Sequence, residues 1–344
     1  MFSGKKILIT GGSGSLGTSL VKKLLKTNVS TIRIFSRDEL KQTEMASKIS
    51  DNRLRFMIGD VRDKDRVNRA LEGIDIVIHA AALKHVPVAE YNPFEAVKTN
   101  VTGAQNIIDG CLENDVKIAL AIGTDKAVSP LNTYGATKLL MERLFISANF
   151  FKGEKKCKFV CVRYGNVLGS RGSAFPKFIE QIRKTNSITM TDPSMTRFNI
   201  TMNDALDLIF RTLKNTNGGE VFVPKLKTYR LDQLVDCISK FLETKPKIKK
   251  INVRPGEKFH ELLISKDEIR DVYENKDDFI ILPDSEFFNY PNKSKLKKAK
   301  LNDAFSSDHA TQLTNDELLV HQYERKYLYA LVLERYCSVL QRFC

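Results

Sequence analysis

Between a short apolar run and the first amphipathic stretch, the chain reads Thr10-Gly11-Gly12-Ser13-Gly14-Ser15-Leu16-Gly17. No other segment limits the fold so strongly. Glycine is needed where backbone turns tightly, where it must lie against a ligand, and where a helix packs directly on a strand. A strand, this turn and a helix make the opening of a βαβ unit, and the amides at the helix start make an anion site. The spacing predicts that Gly11, Ser13, Gly14, Ser15, Leu16 and Gly17 hold a dinucleotide pyrophosphate. The alternative is a glycine-rich turn without a ligand.

The rest of the first half supports that frame. Apolar strands alternate with helical stretches, as in a parallel sheet covered on both faces. Strands are expected at residues 6–10, 31–36, 54–59, 74–80, 116–123 and 158–164, with 219–224 returning to the same sheet. Helices are expected at 16–27 and 133–151. From about Val167 the regularity fades and Pro and Lys become frequent. The fold class is α/β: a Rossmann-like doubly wound parallel sheet over residues 1–166, a smaller substrate-binding region over 167–318, and a helical extension over 319–344. Just before that extension Thr314-Asn315-Asp316-Glu317 fits a capping box. Leu319, Tyr323, Tyr327, Ala330 and Leu331 then recur at helical spacing, for a helix packed on its own domain or on a partner.

Composition excludes several classes. With 344 residues, 42% hydrophobic and 28% charged, the chain suits a soluble protein of one large unit or two domains. It shows no signal segment and no apolar run near the roughly 20 residues of a membrane helix, so a cytoplasmic protein without a membrane partner is expected. The six cysteines form no CxxC pair, which points to reduced thiols and no metal site. The net charge of +14 concentrates at Lys245–Lys250 and at Lys293–Lys300. Both stretches read as solvated loops rather than a nucleic-acid surface, and a positive field favours an anionic nucleotide substrate.

Strand ends in such a sheet face the ligand crevice. The second strand ends in Ser36-Arg37-Asp38, where a carboxylate would take the ribose 2′-hydroxyl of NAD. Ser36 and Arg37 suit the 2′-phosphate of NADP instead, although Asp38 leaves NAD open. Asp60-Val61 and Ala80-Ala81-Ala82 end the third and fourth strands and fit the adenine side and a close backbone approach.

The fifth strand ends in Thr124-Asp125-Lys126, and Tyr134 and Lys138 follow on one helix face. A phenol is a poor base at neutral pH, but a nearby ammonium and a nicotinamide cation favour phenolate. Tyr134 then accepts a hydroxyl proton as hydride leaves. A carbonyl made at C4 of a hexose acidifies the C5 proton and permits loss of the C6 hydroxyl. That elimination needs an acid and a base, for which Asp125 and Lys126 are candidates. The alternative is a simple ion pair at a strand end.

At these residues the chain resembles the extended short-chain dehydrogenase/reductases, and among them the inverting UDP-N-acetylglucosamine 4,6-dehydratases. The resemblance is carried by Phe35–Gln42, His79–Pro87, Thr124–Ala127, Arg163–Ser173, Met195–Phe198 and Arg254–Lys258. It implies a bound, recycled NADP contacted also by Lys41 and Val167. It implies that Asp125 assists loss of the C6 hydroxyl and Lys126 handles the C5 proton. Retaining relatives carry Asp-Glu there, so lysine implies inversion at C5. Lys84, Asn166, Arg171, Arg197, Arg254 and Glu257 match substrate-contacting positions, though each arginine also suits a structural ion pair. The family implies a homo-oligomer, a dimer or larger ring. Gly123 departs from the serine common before Thr-Asp-Lys. A sugar-nucleotide epimerase or reductase, a retaining dehydratase, and a non-enzymatic NADP-binding protein are the alternatives.

Overall fold

The computed structural model describes residues 1–167, 173–283, 290–291 and 293–318. In chain order the elements begin β1 (Lys6–Thr10), α1 (Ser15–Leu24), β2 (Thr31–Ser36), α2 (Glu39–Lys48), β3 (Leu54–Ile58), α3 (Lys64–Leu71) and β4 (Ile76–His79). Then come α4 (Val86–Tyr91), α5 (Pro93–Val97), a π-turn (Lys98–Thr102), α6 (Gly103–Glu113), β5 (Ile118–Ile122), a 3₁₀ turn (Asp125–Ala127), α7 (Thr133–Phe151) and β6 (Lys158–Val162). The remainder holds β7 (Asn166–Val167), α8 (Ala174–Thr185), β8 (Ser187–Met190), β9 (Thr196–Ile200), α9 (Met202–Asn215) and β10 (Val221–Pro224). It closes with β11 (Thr228–Arg230), α10 (Leu231–Phe241), β12 (Lys247–Lys250), β13 (Leu262–Ile264), β14 (Val272–Glu274), β15 (Asp278–Ile281), β16 (Lys297–Lys298) and β17 (Phe305–Ser306).

These elements form two compact units. The first takes Met1–Gly165, Met202–Lys225 and Leu262–Ser306; the second takes Asn166–Thr201, Leu226–Glu261 and the described residues from Ser307 on. A boundary near residue 166 and a return of the strand at 219–224 were expected; the chain also comes back to the first unit a second time, over Leu262–Ser306.

In the first unit ten strands pair in the order β16-β14-β15-β10-β6-β5-β4-β1-β2-β3. From β10 to β3 every pair is parallel. β15, β14 and β16 add antiparallel pairs at the other edge. The parallel strands are apolar along their length because helices cover both faces; all of Ile76–His79 is buried. Helix α1 buries Leu20, Val21 and Leu24, each contributing about 2 kcal/mol by removal of apolar surface from water. Strand order reverses between β1 and β4, which opens a crevice at their carboxyl ends.

The second unit is less loop-rich than its composition suggests. Phe175, Phe178, Ile179 and Ile182 on α8 share a core with Leu234, Val235 and Ile238 on α10. Lys247–Lys250 was expected as a loop, yet it is a strand paired in parallel with β8, all four side chains exposed. Lys297–Lys298 likewise pairs with β14. Backbone pairing does not depend on where lysine side chains point, and such charges blunt an exposed edge. The capping box forms as expected: the Glu317 amide donates to Thr314 Oγ1 at 3.1 Å and the Thr314 amide to Glu317 Oε2 at 2.9 Å. The tail from Leu319, and Arg171, lie outside the described residues. Among the described residues no helix is long and apolar enough to cross a membrane.

Candidate active site

The glycine turn is dictated by sterics. Gly11 has φ +65°, and a Cβ there would lie 2.9 Å from Ala81 N and 3.0 Å from the Ala80 carbonyl. A Cβ on Gly17 would lie 2.4 Å from Gly12 O, so α1 rests directly on the turn. Gly14 is the N-cap, which leaves the first helical amides, from Ser15, Leu16 and Gly17, without intrahelical acceptors. This cradle fits a dinucleotide phosphate pair. Thr10 holds the neighbouring strand end: its Oγ1 bonds His79 Nδ1 at 2.8 Å and accepts the amides of Ala80 and Ala81 at 3.1 and 3.2 Å. Burial pushes the His79 imidazole down to about 3, so it is neutral.

At the end of β2, Ser36 Oγ lies 3.0 Å from Ser13 Oγ and accepts Gln42 Nε2 at 2.9 Å. Asp38, the residue that blurred the cofactor reading, is the N-cap of α2; it accepts the Lys41 amide and is paired with the Lys41 ammonium. Lys41, expected at the cofactor, is thus engaged by Asp38. Arg37 is 57% exposed and reaches Asp60 Oδ2 only at 3.5 Å. Burial alone raises the Asp60 carboxyl, but hydrogen bonds from Arg62 and the Arg37 charge carry it below its ordinary value. Val61 is fixed by Asn106, whose Nδ2 donates to its carbonyl at 2.9 Å.

The sequence reading missed Asn100. It sits in the π-turn, fully inside, and brackets Leu83: Oδ1 accepts the Leu83 amide at 2.8 Å and Nδ2 donates to the Leu83 carbonyl at 3.0 Å. Nδ2 also reaches Thr137 Oγ1 on α7 at 3.0 Å. Asn100 therefore ties the loop after β4, with Ala82 and exposed Lys84, to the helix of Tyr134. Its signal was an asparagine between Ala96 and Ala104 on an otherwise apolar helical face.

The Thr124–Lys126 turn is held by β6: Gly123 N donates to Val162 O at 2.6 Å and Asp125 N to Tyr164 O at 3.1 Å. A Cβ on Gly123 would lie 2.5 Å from Val162 O, so a serine there requires the strands to move apart locally. Asp125 is fully buried, and its Oδ1 accepts Thr124 Oγ1 and Lys126 Nζ, each at 3.0 Å. The ion-pair geometry is therefore present. It does not exclude chemistry, because the same contact allows a proton to move between the partners. A Cβ on Gly135 would lie 2.1 Å from Lys126 O, so the first turn of α7 is pressed against this turn and brings Tyr134 to it.

Two electrostatic expectations change. The Tyr134 phenol was expected to be lowered; burial raises it instead, while the Lys126 charge and a hydrogen bond with the Thr124 side chain pull it back and Asp125 adds to the rise. Lys138 was expected to supply the ammonium beside it. Its Nζ lies 2.9 Å from Met141 Sδ, and burial pushes it down to about 8 against the raising charges of Cys161 and Glu142. Glu142, one turn beyond Lys138, meets the fully buried Arg163, which also bonds Glu268 and the Leu263 carbonyl. Neither carboxylate was singled out from sequence.

In the second unit, Asn166 and Val167 form β7, paired with Asn199 and Ile200. Arg197 is buried and donates to the carbonyls of Thr196 and Phe259 at 2.7 and 3.0 Å, with Glu257 Oε1 at 3.7 Å and Glu261 Oε1 at 4.0 Å. Arg254 is exposed, and its amide donates to Glu257 Oε2 at 3.3 Å across a turn with Gly256 at φ +75°. The structure thus joins the glycine turn with Asp125, Lys126, Tyr134 and Lys138 in one unit, and Asn166, Arg197, Arg254 and Glu257 in the other.

The model of the polysaccharide biosynthesis protein family matches residues 7–283. An inverting UDP-N-acetylglucosamine 4,6-dehydratase of Campylobacter jejuni is 44% identical over 93% of this chain and 97% of its own. A UDP-glucose 4-epimerase of Rickettsia conorii is 37% identical over 92% of this chain and 95% of its own. The crystal structure of Pen from Bacillus thuringiensis, 40% identical, superimposes with a TM-score of 0.86 over 92% of this chain and 96% of that one. The chain belongs to the polysaccharide biosynthesis protein family and is an enzyme related to the inverting UDP-N-acetylglucosamine 4,6-dehydratases.

Proposed function

We propose that this enzyme is an NADP-dependent, inverting UDP-N-acetylglucosamine 4,6-dehydratase. Its product would be UDP-2-acetamido-2,6-dideoxy-β-L-arabino-hex-4-ulose. The observation that carries the reading is the Asp125–Lys126 pair pressed against the start of α7, beside Tyr134. An oxidation and reduction at one carbon needs Tyr134 alone; a buried acid with an amine beside it is what an elimination adds. Its similarity to dehydratases at 44% and 45% identity supports the same reading.

The geometry supports a division of roles among these residues. Held at the Gly11–Gly17 turn, a nicotinamide dinucleotide would supply the hydride acceptor and donor chemistry that the reaction needs. Tyr134 takes the C4 hydroxyl proton. Its raised pKa means that the chain's own groups hold it as phenol, so the phenolate depends on added positive charge. Asp125 protonates the departing C6 hydroxyl and Lys126 handles the C5 proton; inversion requires that the new proton reach the face of C5 opposite the one that lost it. NADP is favoured by exposed Arg37, whose guanidinium suits a 2′-phosphate, and by Asp38 being committed to its helix cap. Lys84, Arg197, Arg254, Asn166 and Glu257, together with Arg171 outside the described residues, are proposed for the UDP-sugar. The free thiols Cys111, Cys157, Cys161 and Cys237 support the cytoplasmic setting. Exposed Tyr91, Phe94 and Leu140 support self-association.

The test is the product formed from UDP-N-acetylglucosamine in deuterated water. NMR is expected to show a C6 methyl group, deuterium at C5 and the L-arabino configuration. A C4 epimer that keeps its C6 hydroxyl would instead establish the epimerase reading, which the Rickettsia relative favours.

A further inference from the structure

Arg197 is held in the second unit by more than its own hydrogen bonds. Its Nη1 donates to the carbonyls of Thr196 and Phe259 at 2.7 and 3.0 Å, while the carboxylates of Glu257 and Glu261 stand off at 3.7 and 4.0 Å. Next to those carbonyls lies a row of three polar side chains. Ser307 Oγ is 2.6 Å from Thr196 Oγ1, and Thr196 Oγ1 is 2.8 Å from His260 Nδ1. Ser307 and Thr196 are 0% and 4% exposed, whereas His260 is half-buried, so solvent protons reach the row at its imidazole end. The same residues tie three segments together. Thr196 N donates to Phe259 O at 3.1 Å, Ser307 N to Glu261 O at 2.9 Å, and Glu261 N to Ser307 Oγ at 2.8 Å.

Two hydroxyls in series have two hydrogens to place, and His260 decides their direction. With Nδ1 bare, Thr196 donates to it and Ser307 donates to Thr196 Oγ1. With Nδ1 protonated, the imidazole donates to Thr196 Oγ1, and Thr196 turns its hydrogen to Ser307 Oγ. Ser307 still accepts the Glu261 amide, and its own hydrogen then goes to the Thr196 carbonyl, 3.3 Å away. That carbonyl is the one Arg197 uses at 2.7 Å, so the guanidinium now shares its acceptor.

We infer that His260 is a positioning residue for the nucleotide sugar: through Thr196 and Ser307 it sets how firmly Arg197 is held, and protonating it loosens substrate binding. Histidine is the side chain whose charge ordinarily changes between about pH 5 and 8. The charged groups on the packed segments are Arg197 on β9, Glu257, Lys258 and Glu261 beside His260, and Asp308 and His309 after Ser307. Arg230, across from Thr196 on β11, is paired with Asp232 at 2.5 Å. His309 is a second imidazole that titrates, with Nε2 3.5 Å from Asp308 Oδ2, and it serves as the control.

This rests on Arg197 contacting a nucleotide sugar, and the probe is independent of dehydration. UDP-xylose has no C6 to lose water from, and its diphosphate diester gains no proton in this range. Calorimetric titration of the cofactor-loaded protein is expected to give a dissociation constant about tenfold higher near pH 5.5 than near pH 7.5, the loss of about one charge-assisted hydrogen bond. His260→Asn offers Thr196 a partner that does not titrate, and Ser307→Ala leaves the Thr196 carbonyl to Arg197. Both variants should bind equally at the two pH values, and His309→Asn should keep the tenfold change. With UDP-N-acetylglucosamine, KM should rise at the lower pH in the wild type and not in His260→Asn, with kcat alike in the two proteins. Equal wild-type affinity at both pH values overturns the inference, as does no binding at either. So does a tenfold change that survives in His260→Asn or in Ser307→Ala, and either variant decides if the other fails to fold. If the wild type makes no 6-deoxy sugar, the dehydratase reading fails while the UDP-xylose titration still decides the role of His260.

Discussion

Lys138 is the residue whose burial is most readily measured. Burial brings its ammonium to about 8 from an ordinary 10.5, so its charged form penalises the folded state. Between pH 8 and 10.5 the unfolded chain still binds this proton and the folded chain does not, so stability rises with pH through that window. The penalty at pH 7 is on the order of 3 kcal/mol. Lys138→Met is expected to unfold at higher urea than the wild type at pH 7, and the gain should fade toward pH 10. An equal gain at both pH values would place its origin elsewhere. Lys126→Met bears on the chemistry: it should cut 6-deoxy sugar formation on the order of 10²-fold or more and abolish deuterium uptake at C5. Arg37→Ser should weaken NADP binding about tenfold while leaving NAD binding nearly unchanged, as seen by fluorescence titration of the two reduced dinucleotides.

At the scale of elements, the decisive contacts are those where a helix meets a turn without a side chain between them. Gly135 on α7 is the sharpest case, since a Cβ there would overlap the Lys126 carbonyl at 2.1 Å. Gly135→Ala is expected to leave the far-ultraviolet circular dichroism spectrum native and lower kcat on the order of 10²-fold, by moving Tyr134 away from Asp125. Normal turnover would show that the two halves tolerate separation. Much at this scale was legible in the chain. Strand–turn–helix logic located β1, α1 and their glycines, and the four-residue spacing of Tyr134 and Lys138 fixed one face of α7. The Asn100 clamp was not legible, because a π-turn shifts the register by one residue and composition does not reveal which helical asparagine will bracket a distant loop. The Tyr134 pKa direction was also hidden. It depends on how tightly the phenol is enclosed, a property of packing rather than of the Tyr-x-x-x-Lys spacing. Lys247–Lys250 misled for the opposite reason: its lysines report solvent exposure, while its backbone pairs with β8.

For the whole molecule, Arg163 links parts of the chain far apart in sequence. It joins β6 to Glu142 on α7 and to Glu268 and Leu263 in the last returning segment. Arg163→Met would bury two carboxylates without their cation, and the expected cost is about 3–5 kcal/mol in chemical denaturation. A change below about 1 kcal/mol would mean the cluster relaxes into water. The return of 219–224 to the sheet was readable from its apolar run, but the second return was not, because the strands of 262–306 are only two to four residues long. Those returns have a consequence during synthesis. When Gly165 has emerged from the ribosome, β6 has no neighbour on its outer side; β10 arrives later and β15 later still. At about 5–20 residues per second, the interval from residue 165 to residue 306 lasts roughly 7–30 s. Throughout it the nascent sheet presents an open, apolar strand edge, so a nascent chain stalled near residue 200 is the form most in need of a chaperone.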